Sequence, residues 1–130
     1  MFQQMRDGPH AAGGERLSEE AERAVGRLEE MSIDLRACAI VGDDGEALAV
    51  SAPGDWAAQT KALWSATEAA DRPRATQIHV ATEAGEVFAV RDGSTSAVAV
   101  AERFALASLM FCDLRAALRE LGGPAGGGEG

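Results

Sequence analysis

The order in which hydrophobic periodicity changes along the chain constrains its fold more than any single residue does. A helical repeat comes first, then two short alternating stretches, a second helical repeat, three further alternations and a closing helical repeat. Asp44-Gly45, Ala84-Gly85 and Asp92-Gly93 stand at the strand-to-strand joints, where a two-residue hairpin turn needs glycine at positive φ. The order αββαβββα predicts an α+β fold in which helices cover an antiparallel sheet.

Ser18 is a good N-cap, and Glu19, Glu20 and Glu22 follow it where the helix dipole favours negative charge, so the first helix is expected to start near Ser18. Ala21, Ala24, Val25, Leu28 and Met31 form its apolar stripe. Two strands follow, about Leu35 to Val41 and Glu46 to Ser51, joined by a tight hairpin through Gly42-Asp43-Asp44-Gly45. One phase reads Ala37, Ala39, Ala47, Ala49 and the other Cys38, Ile40, Leu48, Val50, so neither face is charged and both need covering. Ala97, Ala99 and Ala101 alternate with Val98 and Val100 in the same manner, which predicts a small-residue side against which a helix lies close.

The second helix is expected after Pro53-Gly54, capped by Asp55 and ending before Pro73. Trp56, Ala62, Leu63, Trp64, Ala66, Ala69 and Ala70 wrap beyond one narrow stripe, which points part of this helix toward a partner; the competing reading makes both indoles core. Strands about Thr76 to Thr82, Glu86 to Arg91 and Thr95 to Ala101 form a meander. The last helix, about Arg103 to Leu121, carries Phe104, Leu106, Leu109, Met110, Phe111, Leu114 and Leu118, the densest apolar surface of the three, and Gly122 is placed to end it.

At 130 residues the chain is expected to form one domain over 17–121, between a disordered segment 1–16 and a disordered glycine-rich tail 122–130. A net charge of −9 disfavours nucleic acid and anionic lipid. No apolar run reaches the length of a bilayer span, and the N-terminus lacks a secretory signal, so no membrane insertion and a cytoplasmic location are expected. Cys38 and Cys112, without CxxC spacing, read as buried reduced thiols.

Reaction chemistry is hard to assemble from these residues. The histidines are His10, in the N-terminal segment, and His79, in a strand, and neither has a nucleophile at a suggestive spacing. Asp43-Asp44 suits a turn and lacks the spacing of a calcium loop. Cys112 and Asp113 are adjacent on a helix, so their side chains diverge. No catalytic, cofactor-binding or metal-binding residue is assigned, and the chain is expected not to be an enzyme.

Three stretches carry a family resemblance: Cys38 to Ser51 with its Asp-Gly turn, the helix from Trp56 to Ala70, and Gln77-Ile78-His79-Val80 with Val87-Phe88-Ala89-Val90 and the final helix. Over residues 18–121 the chain resembles the roadblock/dynein light-chain domain family, especially bacterial members associated with Ras-like GTPases. The resemblance implies a three-layer α/β/α, profilin-like/roadblock fold with a five-stranded antiparallel sheet ordered 2-1-5-4-3, the first and last helices on one face and the second on the other. It also implies a homodimer through the third strand, Thr76, Gln77, Ile78, His79 and Val80, with the second helices side by side and Trp56 or Trp64 closing their seam. That strand, without proline or lysine, is poorly protected against edge pairing on physical grounds as well. Trp56, Lys61 and Trp64 are the expected partner-binding residues. The implied function is a non-catalytic homodimeric adaptor that binds and regulates a small Ras-like GTPase; the alternatives are a structural assembly module that leaves nucleotide turnover unchanged, or a small-ligand sensor.

Overall fold

A computed structural model describes residues 8–68 and 71–122. The elements run α1 (Gly8–Met31), β1 (Leu35–Val41), β2 (Ala47–Val50), α2 (Trp56–Ala66), β3 (Gln77–Ala81), β4 (Glu86–Asp92), β5 (Thr95–Ala101) and α3 (Ala107–Gly122). The five strands form one antiparallel sheet in the order β2-β1-β5-β4-β3, as the resemblance implies. Helices α1 and α3 pack on one face, burying Ala21, Ala24, Leu28, Met110 and Leu114 against Cys38, Ile40, Phe88 and Val90. Helix α2 covers the other face, with Trp56 and Trp64 against Ala39, Ala89 and Val98.

Registry shows how an alanine-rich sheet fills two cores. Cys38 pairs with Ala99, Ala99 with Phe88 and Phe88 with His79, so one row across the sheet sets two small side chains beside two large rings. On the opposite face Ala39 lies beside Val98 and Val98 beside Ala89. The expectation of one small-residue side is corrected: Ala97, Ala99 and Ala101 face α1 and α3, whereas Ala37 and Ala39 face α2. Each alanine makes room for a larger cross-strand neighbour, the interdigitation that close packing requires. Phe88 is fully buried where the row meets α3, and truncating a phenylalanine at such a site costs about 3–5 kcal/mol.

The turns follow their residues with two changes. Gly45 has φ 85°, and Gly42 N donates to Glu46 O while Gly45 N donates to Gly42 O, closing a loop through Asp43, Asp44 and Gly45 one residue longer than a two-residue turn. The Asp44 carboxylate accepts from Glu46 N at 3.0 Å, so it serves the turn. Gly93 has φ 64° at the first central position of the β4–β5 hairpin. Gly85 lacks a positive φ; a Cβ there would lie 2.7 Å from Ala101 O, so close backbone approach is what requires glycine.

The helix boundaries differ from the periodicity. Helix α1 starts at Gly8, so Ser18 is an interior residue and 8–16 continue the helix. Once a helix is nucleated each further residue adds a hydrogen bond, and Ala11, Ala12, Glu15 and Arg16 are good helix formers. Met31, at its last position, is half exposed and not part of the buried stripe. Asp55 occupies the N-cap position of α2 but its side chain makes no capping bond. That helix ends at Ala66, where Thr67 Oγ1 donates to Trp64 O at 2.7 Å and competes for the last carbonyls; Ala69 and Ala70 lie outside the described residues. Residues 1–7 and 123–130 lie outside them too.

Helix α3 starts at Ala107 rather than Arg103 because the chain turns sharply through Phe104, whose φ is 66°. Phe104, Leu106 and Leu109, three members of the dense apolar set expected of this helix, are exposed. Cys38 is buried, and burial pushes its thiol up to about 11, against a smaller opposing effect of its hydrogen bond with Ser51. Cys112 is exposed, which corrects its reading as a core residue. It lies on the face of α3 away from Leu114, the buried residue two positions on.

Candidate interaction surfaces

Strand β3 bonds to β4 on one side and, among the described residues, has no strand on the other. Arg91 N donates to Thr76 O at 2.9 Å and Thr82 N to Gly85 O at 2.8 Å. These two bonds fix the antiparallel alternation: the backbone groups of Thr76, Ile78, Val80 and Thr82 turn toward β4, and those of Gln77, His79 and Ala81 turn outward. Side chains divide differently, with Ile78 packed in the α2 layer and His79 in the α3 layer. The expected set Thr76, Gln77, Ile78, His79 and Val80 is thus one continuous edge, in which Gln77 and His79 supply its open backbone groups. Ala81, inside the expected strand Thr76 to Thr82 but outside the expected edge set, joins them, because which backbone groups turn outward depends on the register with β4.

One buried carboxylate ties this edge to the loop before α3. Glu86 Oε1 lies 2.7 Å from His79 Nε2, and Glu86 Oε2 accepts from Phe104 N at 2.7 Å. The His79 ring stacks on Phe88 at 4.3 Å between centroids, and Phe88 meets Phe111 edge-on at 5.4 Å. A non-glycine residue held at positive φ costs of order 1–3 kcal/mol, and the charge-assisted bond to Phe104 N offsets part of that cost. The His79 hydrogen bond and then the Phe104 N–H hold the Glu86 carboxyl below the usual carboxylate range. Glu86 carries no signal in the sequence, because a single glutamate at a strand start looks solvated.

The partner-binding residues assigned to α2 are distributed otherwise than expected. Both indoles are buried, with Trp56 Nε1 donating to Ala52 O and Trp64 Nε1 donating to Ser96 Oγ, each at 2.9 Å. Arg91 lies 4.0 Å from the Trp64 ring centre and covers its outer part. The structure therefore brings Trp56 and Trp64 into the core and leaves neither to close a helix seam. Lys61 is exposed, together with Ala58, Ala62 and Ala66, which recur every fourth residue along the outer face of α2. Lys61 also borders a cleft of about 410 Å³ between α2 and the β1–β2 and β4–β5 turns, lined by Asp43, Thr60, Trp64, Ser94 and Ser96. Thr60 Oγ1 is buried there without a hydrogen-bond partner among the described residues.

A depressed folded-state pKa contributes stability that is present above the unfolded carboxylate value and lost as pH falls through the folded one. Glu86→Gln is accordingly expected to melt below the wild type at neutral pH. The gap should narrow as pH drops below about 4, the ordinary glutamate range. Thermal denaturation of both proteins across pH reads this directly, and a gap that stays constant into acid would contradict the assigned role.

No protein-family model and no curated protein matches this sequence. Solved structures do. The crystal structure of a roadblock/LC7 domain from Streptomyces avermitilis superposes with a TM-score of 0.68 at 16% identity, covering 77% of this chain and 92% of that one. The gliding protein MglB from Thermus thermophilus gives 0.57 at 18% identity, covering 81% and 87%. A Loki profilin in complex with rabbit actin gives 0.59 at 15% identity, covering 79% and 96%. Likeness at such identities speaks to architecture and leaves the partner to the surface. The strand order, the distribution of helices over the two faces and these superpositions agree that the chain has the roadblock/LC7, profilin-like fold.

Proposed function

We propose that the protein is a cytoplasmic, non-catalytic homodimeric adaptor that binds and regulates a small Ras-like GTPase. The observation that carries this reading is the open edge of β3. Its outward backbone groups come from Gln77, His79 and Ala81, and no proline, lysine or bulge blunts the strand. A second copy related by a two-fold axis pairs β3 antiparallel to itself and satisfies those groups. The same operation brings the two α2 helices toward each other, where exposed Ala58, Ala62 and Ala66 permit a close approach that larger residues would block. Lys61 then lies on the doubled helical surface, which takes the place expected for the buried tryptophans.

The GTPase half of the proposal is supported by the likeness of the sequence to family members associated with Ras-like GTPases and by the presence of MglB among the structural neighbours. The sequence also lacks a phosphate-binding loop of its own, which fits a protein that acts on a nucleotide-binding partner. A second reading, a small-ligand sensor, is favoured by the cleft beside Lys61 and its unpartnered Thr60 hydroxyl. A metabolite that raises the melting temperature of the wild type but not of Lys61→Ala would carry that reading instead.

Two outcomes test the proposal. Proline has no N–H to offer, and at His79 or Ala81 it removes a donor that points away from β4 and leaves the internal ladder intact. His79→Pro and Ala81→Pro should therefore be folded monomers by light scattering and circular dichroism, Ala81→Pro doing so without touching the Glu86 pair. A wild type that is monomeric at every accessible concentration would reject the dimer. Mixing the wild type with any Ras-like GTPase found encoded beside its gene should give a complex with an altered hydrolysis rate. A complex with an unchanged rate would make it an assembly module, and no binding at high micromolar protein would reject the GTPase.

A further inference from the structure

Small residues open the cleft between α2 and the β1–β2 and β4–β5 turns. Gly42, Ala57, Ala58 and Ser94 stand where larger side chains would fill its space of about 410 Å³, a volume within the about 300–1,000 Å³ typical of small-molecule sites. Val41 and Trp64 give the cleft an apolar wall, and the indole N–H is already spent on Ser96 Oγ at 2.9 Å. Trp64 therefore offers a surface and not a donor.

Unspent donors gather on the α2 side. Asp55 holds the N-cap position without making a capping bond, so the N–H groups of Ala57 and Ala58 have no acceptor among the described residues. The positive end of the dipole of this 11-residue helix falls at the same place. Thr60, which also lines the cleft, is 3% exposed, and its Oγ1 has no hydrogen-bond partner among the described residues. A buried hydroxyl left without a partner calls for an explanation, and a bound group supplies one. Lys61 stands exposed beside it and makes no ion pair among the described residues.

The facing margin, the β1–β2 turn, is acidic. Asp44 is committed to Glu46 N at 3.0 Å, which leaves the exposed Asp43 carboxylate without a hydrogen bond or ion pair among the described residues. Two carboxylates there, in a chain of net charge −9, oppose a dianion such as a phosphate ester. Donors on one side, a free carboxylate on the other and an apolar wall between them fit a molecule with one negative end, one positive end and an apolar body.

We infer that this cleft binds a small zwitterion, an α-amino acid with an apolar side chain, its carboxylate held by Lys61 and the start of α2, its ammonium by Asp43 and its side chain along Trp64 and Val41. This assignment rests on the small-ligand reading of the cleft and names the ligand's class; it does not depend on a GTPase partner.

The test is an NMR titration of isotope-labelled full-length protein with each of the common L-amino acids, with inorganic phosphate, and with the amide and the N-acetyl form of the amino acid that binds best. Aliphatic or aromatic amino acids should shift the Trp64 indole N–H and the amides of Gly42–Gly45, Ala57–Lys61 and Ser94–Ser96. The amide, which lacks the carboxylate charge, and the N-acetyl form, which lacks the ammonium, should each bind at least about tenfold more weakly. Lys61→Ala should weaken the amino acid by a similar factor and leave the amide unaffected, and Asp43→Asn should weaken the amino acid and leave the N-acetyl form unaffected. Both positions are exposed, so circular dichroism should not change. Cleft shifts produced equally by the N-acetyl form, or by phosphate alone, would overturn the zwitterion while keeping the cleft a ligand site, as would amino-acid binding that neither substitution alters. No cleft shift from any of these probes at about 10 mM, where even millimolar affinity fills most of a site, would overturn the zwitterion and the small-ligand reading together.

Discussion

The constraint on which the rest of this structure depends is the unmet hydrogen-bonding demand of β3. Every strand pairing inside the sheet satisfies its ladder within the protomer. The outward N–H and C=O groups of Gln77, His79 and Ala81 face no strand among the described residues. β2 forms the other edge, but it is four residues long and follows a register shift at Ile40/Val41, so it offers a poorer template. One edge is blunted and the other is left available.

The packing beneath that edge makes it rigid. Cys38, Ala99, Phe88 and His79 form a row from the second strand to the last, and the Phe88 ring transmits the support of α3 and Phe111 to the His79 ring. Glu86 anchors the other side of that imidazole and, through Phe104 N, the loop that opens α3. The edge strand, the strained loop and the final helix are thus mechanically one unit.

The periodic parts of this arrangement are legible in the amino-acid sequence. Strands β1 and β5 fall where their alternation ends, the strand order matches the family resemblance, and the helices divide between the faces as a sheet apolar on both sides demands. Legibility fails where one long-range contact overrides a local preference. The residues Arg103–Leu106 have a helical pattern, yet Glu86, distant in the chain, captures Phe104 N and delays α3. Trp56 and Trp64 carry more apolar area than one sheet contact obviously needs, but alanines at 39 and 89 leave depth for both rings. The open edge was legible as a strand without gatekeepers, whereas the outward set Gln77, His79 and Ala81 required the register.

Amide hydrogen exchange followed by mass spectrometry, at protein concentrations spanning the assembly, addresses the central claim most directly. Pairing of β3 with its counterpart predicts that the amides of Gln77, His79 and Ala81 become slow to exchange as concentration rises, while those of Ile78 and Val80, already bonded to β4, change less. Outward amides that exchange rapidly at every concentration would contradict the account.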